Sequence, residues 1–114
     1  MSDWPWADEL DGVLAAPDSH RVLLEAPGAR VLEVRIAPGR REPEHTHRFA
    51  SVMIVDQPAR IRYYEHGVLV YESPADDDLS GPRVSWLGPE GPHAVENVDS
   101  RPYHAYRVEL RPAH

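Results

Sequence analysis

Short apolar runs that end at proline or glycine make up most of this sequence, and they limit what the chain can fold into. In the clearest run, Leu32, Val34 and Ile36 alternate with charged residues, which is the period-two pattern of a strand with one buried face. Twelve prolines and seven glycines in 114 residues supply turns between the runs. The pattern predicts eight strands, over residues 21–25, 30–36, 49–55, 59–64, 68–71, 83–87, 93–98 and 103–110. We therefore expect an all-β fold, either a jelly roll or a small barrel.

The first part of the chain lacks this strand pattern. Residues 1–19 are predicted to form an irregular N-terminal arm with one short helical turn near residues 6–10, and residues 20–114 are predicted to form a single barrel domain. Trp4 and Trp6 are large apolar side chains in an acidic segment. They are expected to pack the arm against the barrel or against a second subunit, and a homodimer is expected on that basis.

The composition narrows the classes of partner and location. No segment of about 18 apolar residues occurs, so no membrane span is predicted. The acidic N-terminus has no apolar core of a secretory signal, which favours a cytoplasmic protein. The net charge of −7 disfavours a nucleic-acid partner. The chain has no cysteine, so a transition metal would have to be bound by histidine and carboxylate side chains.

Two histidines stand just before one of the predicted strands. On an extended chain His45 and His47 share a face with their Cα atoms roughly 6.6 Å apart, so both imidazoles can reach one ion. A third candidate ligand is His93, which follows a turn rich in proline and glycine. The alternative for the pair is a polar arm in solvent, and the alternative for His93 is an ordinary turn residue. Glu42 and Glu44 are expected on the opposite, outer face, so neither is a good replacement carboxylate.

The spacing around these histidines resembles the two motifs of the cupins, which are small β-barrel proteins. In the first motif Gly39, five residues and His45-Thr46-His47 match. In the second, Pro89-Glu90-Gly91 is followed after one residue rather than two by His93, and Asn97 has the expected spacing. The resemblance covers about residues 20–111 and is closest to small single-domain, RmlC-like cupins of the conserved-barrel type.

The sequence also departs from these motifs. The glutamate expected in the first motif falls on Ser51 and its closing glycine on Pro58, while Gly81 lies too far upstream to begin the second motif. The resemblance implies a cupin-type double-stranded β-helix, a jelly-roll barrel with an N-terminal arm. It also implies a divalent first-row transition metal (Fe, Mn, Ni, Zn or Co) bound by three ligands, His45, His47 and His93. Without the glutamate, the barrel is either metal-free or a three-histidine site of the kind that some cupin oxygenases use.

Five further residues are candidates for the surroundings of the site. Ser51 and Met53 lie at even offsets from the second histidine and are expected to face the barrel interior. His104 and Tyr106 share a face of the last strand and would supply a proton donor or a partner for a ligand if that face is inward; a buried structural role is the alternative for His104. Trp86 is predicted to be core rather than a platform for substrate.

Candidate functions follow from the metal site, because the sequence contains no serine nucleophile elbow, phosphate loop or paired catalytic carboxylates. The first hypothesis is a metal-dependent enzyme, an oxygenase or isomerase that acts on a small chelating or anionic molecule. The alternative is a non-catalytic barrel that binds a small ligand or serves as a scaffold. The three remaining histidines are assigned no catalytic or ligand role: His20, His66 and His114.

Overall fold

Nine strands in two antiparallel sheets make up the barrel in the computed structural model, which describes residues 3–112. The strands are β1 (His20–Ala26), β2 (Ala29–Ile36), β3 (His45–His47), β4 (Ser51–Gln57), β5 (Ile61–Glu65), β6 (Val68–Glu72), β7 (Arg83–Leu87), β8 (Glu90–Asn97) and β9 (Tyr103–Leu110). One sheet has the order β1-β2-β9-β4-β7 and the other the order β3-β8-β5-β6. The all-β prediction is confirmed, and the His-x-His segment is itself a ninth strand.

The inner face of the five-stranded sheet carries the apolar core. Leu32, Val34 and Ile36 are at most 4% exposed, so the predicted alternation along β2 is confirmed. Val34 lies opposite Ala105 in the register of β2 and β9, and both pack with Val55 of β4. Because side chains alternate across each strand, this register fixes which residues of β9 and β4 point into the barrel.

The β5–β6 hairpin shows why its turn sequence is suited to a sharp reversal. His66 and Gly67 both have positive φ, at 50° and 78°. That conformation is typical of two-residue hairpin loops, and glycine adopts it without steric strain. The predicted hairpin and the role of His66 as a turn residue are confirmed.

The N-terminal arm closes one end of the barrel. A 3₁₀ turn at Asp8–Leu10 leads into a short α-helix, α1, at Gly12–Ala15, so the helical turn expected near residues 6–10 extends further along the chain. The Asp11 side chain accepts a hydrogen bond from the Val13 backbone N–H and caps α1. Trp6 packs against Gly91 of β8 within its own chain.

No helix within residues 3–112 is long and apolar enough to cross a membrane.

Candidate metal centre

A cavity of about 410 Å³ lies between the inner faces of the two sheets. Its walls combine two kinds of side chain. One part is apolar and includes Val34, Ile36, Met53 and Val95, whereas the other part is formed by histidines and charged residues. A pocket of this size and composition is suited to a small molecule held by a few polar groups.

Four buried histidines from three strands meet in this cavity. They are at most 4% exposed, and we call them the histidine cluster: His20, His45, His47 and His93. The ring centroid of His45 lies 4.4 Å from that of His93, 5.0 Å from that of His47 and 4.6 Å from that of His20. The structure therefore brings together the three histidines singled out in the sequence. Their role as ligands stays a prediction.

His20 joins the cluster, although no role was predicted for it from its place in the sequence. It begins β1 and pairs with Val34, whose side chain faces the core. Ring nitrogens of His20, His45 and His47 all lie within 4.8 Å of one another, a spacing from which a metal ion could be bound. The only hint available from the sequence is the inward parity of the position opposite Val34, and that depends on knowing how β1 pairs with β2.

Each histidine of the cluster has its Nδ1 next to an oxygen that accepts a hydrogen bond. The acceptors are Ala16 O for His20 (3.1 Å), Pro43 O for His45 (2.8 Å), Gly91 O for His93 (2.8 Å) and Glu109 Oε2 for His47 (3.4 Å). Ser19 Oγ also lies 2.9 Å from His20 Nδ1. An oxygen of this kind makes Nδ1 the protonated nitrogen, so Nε2 keeps its lone pair. This is the arrangement that orients metal-binding histidines in proteins.

The imidazoles are also held in their neutral form, which is the form that binds metal ions. Burial lowers the pKa of all four, and the pKa of His20 falls to about 3. The Arg107 guanidinium adds to the effect because its positive charge repels a protonated imidazole. At neutral pH the cluster therefore carries no charge of its own.

The arm contributes to the cluster through Gly12 of α1. A Cβ atom at this position would lie 2.8 Å from His47 Cε1, 3.2 Å from His45 Cδ2 and 3.3 Å from His20 Cδ2. The first distance is shorter than real carbon contacts, so only glycine lets α1 approach the three rings this closely. The arm is therefore part of the wall around the histidines.

The structure corrects the expected position of one carboxylate. Glu42 was expected on the outer face, but it is only 7% exposed and lines the cavity, with Oε1 3.5 Å from His45 Nε2. Strand alternation does not extend back to this position because β3 begins only at His45. Burial raises the pKa of the Glu42 carboxyl, which accepts hydrogen bonds from Ser19 Oγ (2.8 Å) and the Val95 backbone N–H (3.1 Å). Glu44 is exposed, as predicted.

A second polar group in the cavity joins Arg107, Glu90 and Tyr63. Arg107 donates to Glu90 Oε1 through both terminal nitrogens, and Tyr63 Oη donates to Glu90 Oε2 at 2.6 Å. Although burial opposes it, the Arg107 charge lowers the pKa of Glu90. Burial raises the pKa of Tyr63, whose ring stacks on His93. None of these three residues was predicted from the sequence to belong to the site, although Glu90 is part of the second motif.

The other predicted site residues fall in different places. Met53 lines the cavity. Ser51 is fully buried and donates to Phe49 O, but it does not line the cavity. The core prediction for Trp86 is wrong, since this side chain is 63% exposed on the outer face of β7. His104 and Tyr106 also lie outside the cavity, because the inward positions of β9 are Tyr103, Ala105 and Arg107.

His104 has a structural setting instead. Its Nε2 lies 2.7 Å from Glu33 Oε2 and its Nδ1 lies 2.5 Å from Asp56 Oδ1, while its ring meets that of Tyr106 edge-on. The residue thus links β2, β9 and the end of β4. His114 lies outside the described residues.

Known proteins resemble this chain in structure, but none of those compared below is close to it in sequence. No family model and no curated protein matches the chain. A cupin domain from Bordetella pertussis has a TM-score of 0.68 at 16% identity, over 82% of this chain and 92% of that one. A Cupin 2 conserved barrel protein from Salinispora arenicola has a TM-score of 0.56 at 19% identity, over 99% and 91% of the two chains. An RmlC-like cupin from Methanocaldococcus jannaschii has a TM-score of 0.57 at 10% identity, over 81% and 80%. The protein is therefore a small domain with the cupin fold, a double-stranded β-helix.

Proposed function

We propose that this protein binds one divalent first-row transition-metal ion at the histidine cluster and a small molecule in the adjoining cavity. The observation that carries the proposal is His45 Nε2, which is buried and has no hydrogen-bond partner among residues 3–112. A buried lone pair without a partner is costly unless something binds it. A metal ion would satisfy it. The neutral imidazoles beside His45 also have a lone pair on Nε2 that could bind the same ion.

The residues fit such an ion. His45, His47 and His93 are the ligands implied by the sequence, and His20 is close enough to replace the missing motif glutamate. Nitrogen ligands of this kind suit zinc, iron, nickel and cobalt better than they suit magnesium or calcium. When bound, the ion would act as a Lewis acid on an oxygen of a bound molecule.

The other polar groups of the cavity position what binds beside the ion. Two hydrogen bonds hold the Glu42 carboxyl next to His45. The Tyr63 hydroxyl donates a hydrogen bond to Glu90, which fixes both side chains in the cavity wall. The apolar wall of the same cavity offers no hydrogen bonds from its side chains. These features support a metal-dependent enzyme, an oxygenase or isomerase for a small chelating or anionic substrate, over a scaffold. A barrel that binds its ligand without turnover is the alternative.

The test is the metal content of untagged protein, measured by elemental mass spectrometry. We expect close to one metal ion per chain in the native protein and none when His45, His47 and His93 are all changed to alanine. His66→Ala is the matched control, because His66 lies in the exposed β5–β6 turn. Absence of metal from the native protein, even after reconstitution, would overturn the proposal. Turnover under the identified metal then separates the enzyme from the ligand-binding barrel.

We also propose that the protein forms a homodimer, as expected from the sequence, but through the outer face of the five-stranded sheet instead of the N-terminal arm. Trp6 packs within its own chain, whereas Trp86 and Val84 are 63% and 67% exposed on the outer face of the five-stranded sheet. In the register of β4 and β7, these two residues lie beside Val52 and Ile54. A second copy packed on this face would bury them. We expect a dimer by analytical ultracentrifugation and a monomer for Trp86→Glu; a native monomer would contradict the proposal.

A further inference from the structure

Two buried polar atoms in the walls of the cavity have no hydrogen-bond partner among residues 3–112. They are His45 Nε2 and Arg107 Nε, and the side chains that carry them are 1% and 3% exposed. Both residues line the cavity between the sheets. Buried polar atoms in folded proteins nearly always have partners, so the two atoms indicate that something is missing from the space that they share.

The two atoms call for opposite partners. His45 Nε2 offers a lone pair, because Nδ1–H of the same ring already donates to Pro43 O. Arg107 Nε–H can only donate. A cation on the first and an oxygen acceptor on the second would satisfy both. An anionic ligand that contacts the ion and the guanidinium would do so with a single functional group.

Arg107 favours an anion at this place. Its two terminal nitrogens both donate to Glu90, whereas its Nε–H is left without an acceptor among residues 3–112. A hydrogen bond between a charged donor and a charged acceptor is about twice as strong as one between neutral groups. A negatively charged oxygen therefore suits this donor better than a neutral one.

The rest of the cavity lining determines the size and polarity of the uncharged part of the ligand. Val34, Ile36, Val55, Ile61 and Val95 line the same cavity and offer no hydrogen bonds from their side chains. The volume of about 410 Å³ lies near the lower end of the range for small-molecule pockets. The ligand should thus be small and mainly apolar apart from its charged group.

We propose that the ligand is a small apolar carboxylic acid whose carboxylate lies between the metal ion and Arg107. This inference rests on the proposed function, since it requires the ion. Arg107 is then the residue that selects for charge, because its Nε–H gives the carboxylate a second contact beside the ion. Glu90 positions the guanidinium, and Tyr63 positions Glu90.

The test compares charged and neutral probes of the same shape on metal-loaded protein. Butyrate and benzoate are titrated calorimetrically beside butyramide and benzamide. We expect at least one carboxylate to bind ten or more times more tightly than its amide. In cobalt-substituted protein, the same carboxylate should shift the visible absorption bands of the ion, whereas its amide should not.

Variants at position 107 show whether the arginine is responsible. Arg107→Met should weaken carboxylate binding by about ten to a hundred times while the metal content stays near one per chain. Arg107→Lys keeps the charge beside Glu90 and covers the case in which the methionine variant fails to fold; it should weaken carboxylate binding by a smaller factor. Arg35→Met, on the outer face of β2, is the control and should bind as the native protein does.

Three results would overturn the inference: equal binding of acid and amide, no binding of either acid, or unchanged carboxylate binding in folded Arg107 variants. With metal bound at one ion per chain, any of these outcomes leaves the metal site standing and removes only the carboxylate ligand. Absence of metal would remove both proposals, so the two failures are distinguishable.

Discussion

Replacing Gly12 by alanine tests whether the N-terminal arm is part of the proposed metal site. The new Cβ would lie 2.8 Å from His47 Cε1, and ordinary contacts begin at 3.4 Å, so α1 and the ring must separate by 3.4 − 2.8 = 0.6 Å. Two further ring carbons at 3.2 and 3.3 Å restrict the direction of that movement. Binding sites generally require their groups to be held within about 0.5 Å.

The sign of the effect makes the test decisive. Gly12 is the first residue of α1, where replacing glycine by alanine gains at most about 1 kcal/mol, so propensity alone predicts a protein that is at least as stable. Overpacking a buried site costs about 1 to 3 kcal/mol. We therefore expect Gly12→Ala to lower the free energy of unfolding by up to about 2 kcal/mol. Because the same change displaces the histidine rings, we also expect metal binding to weaken by about ten times, which corresponds to about 1.4 kcal/mol.

The assays are urea unfolding of the metal-free protein and competition with a chelator for the metal. Gly88→Ala is the matched control, because no atom of residues 3–112 lies within 4 Å of a Cβ built there. It should leave both measurements within experimental error of the native values. A Gly12→Ala protein that is more stable than the native one and binds metal equally well would refute the close approach of α1 to the histidines.

Two pH effects also follow from the structure. Although burial opposes it, hydrogen bonds to Glu33 and Asp56 raise the pKa of His104. The stabilising contribution of His104 should therefore be complete below pH 6.5 and should fade as the pH rises through the pKa of His104 in the folded protein. Urea unfolding should show that His104→Gln costs about 1 kcal/mol at pH 5.5 and less at pH 9. An equal loss at both pH values would contradict this. Burial lowers the pKa of His20 to about 3, so metal-free protein should lose stability as the pH falls from 6.5 towards 3. His20→Gln should reduce that slope by up to about 1.4 kcal/mol per pH unit, measured from unfolding midpoints between pH 4 and 7, and an unchanged slope would argue against a buried neutral imidazole.

Local patterns were sufficient for the strands and for part of the histidine cluster. Alternation on β2 and the turn residues located most of the barrel, and the spacing in His-x-His placed two rings together. His20 was missed because its position depends on the pairing of β1 with β2, which is interrupted by an irregularity between Val22 and Leu24. Pairing across strands is a long-range property that no local pattern specifies.

The sequence left open which face of the last strand is inward, and there is a physical reason for this. Val108 and Leu110 share a face with His104 and Tyr106, but the inward residues of β9 include Arg107, and Glu109 on the same side is only 1% exposed. Their burial is compensated by ion pairs, with Glu90 for Arg107 and with Arg30 for Glu109. A barrel that builds a polar site in its interior reverses the pattern from which burial is normally predicted.

Three of the four acceptors that hold the histidine rings are backbone carbonyls, those of Ala16, Pro43 and Gly91. No side-chain substitution at these positions deletes the acceptor atom, provided that the chain keeps its path. Ring orientation at His45 and His93 is therefore encoded by the course of the main chain. His47 depends on the Glu109 side chain, and His20 depends on Ser19 as well, whose Oγ lies 2.9 Å from His20 Nδ1. The apolar wall of the cavity can accordingly be redesigned for other small molecules while the ring nitrogens of the cluster keep their directions.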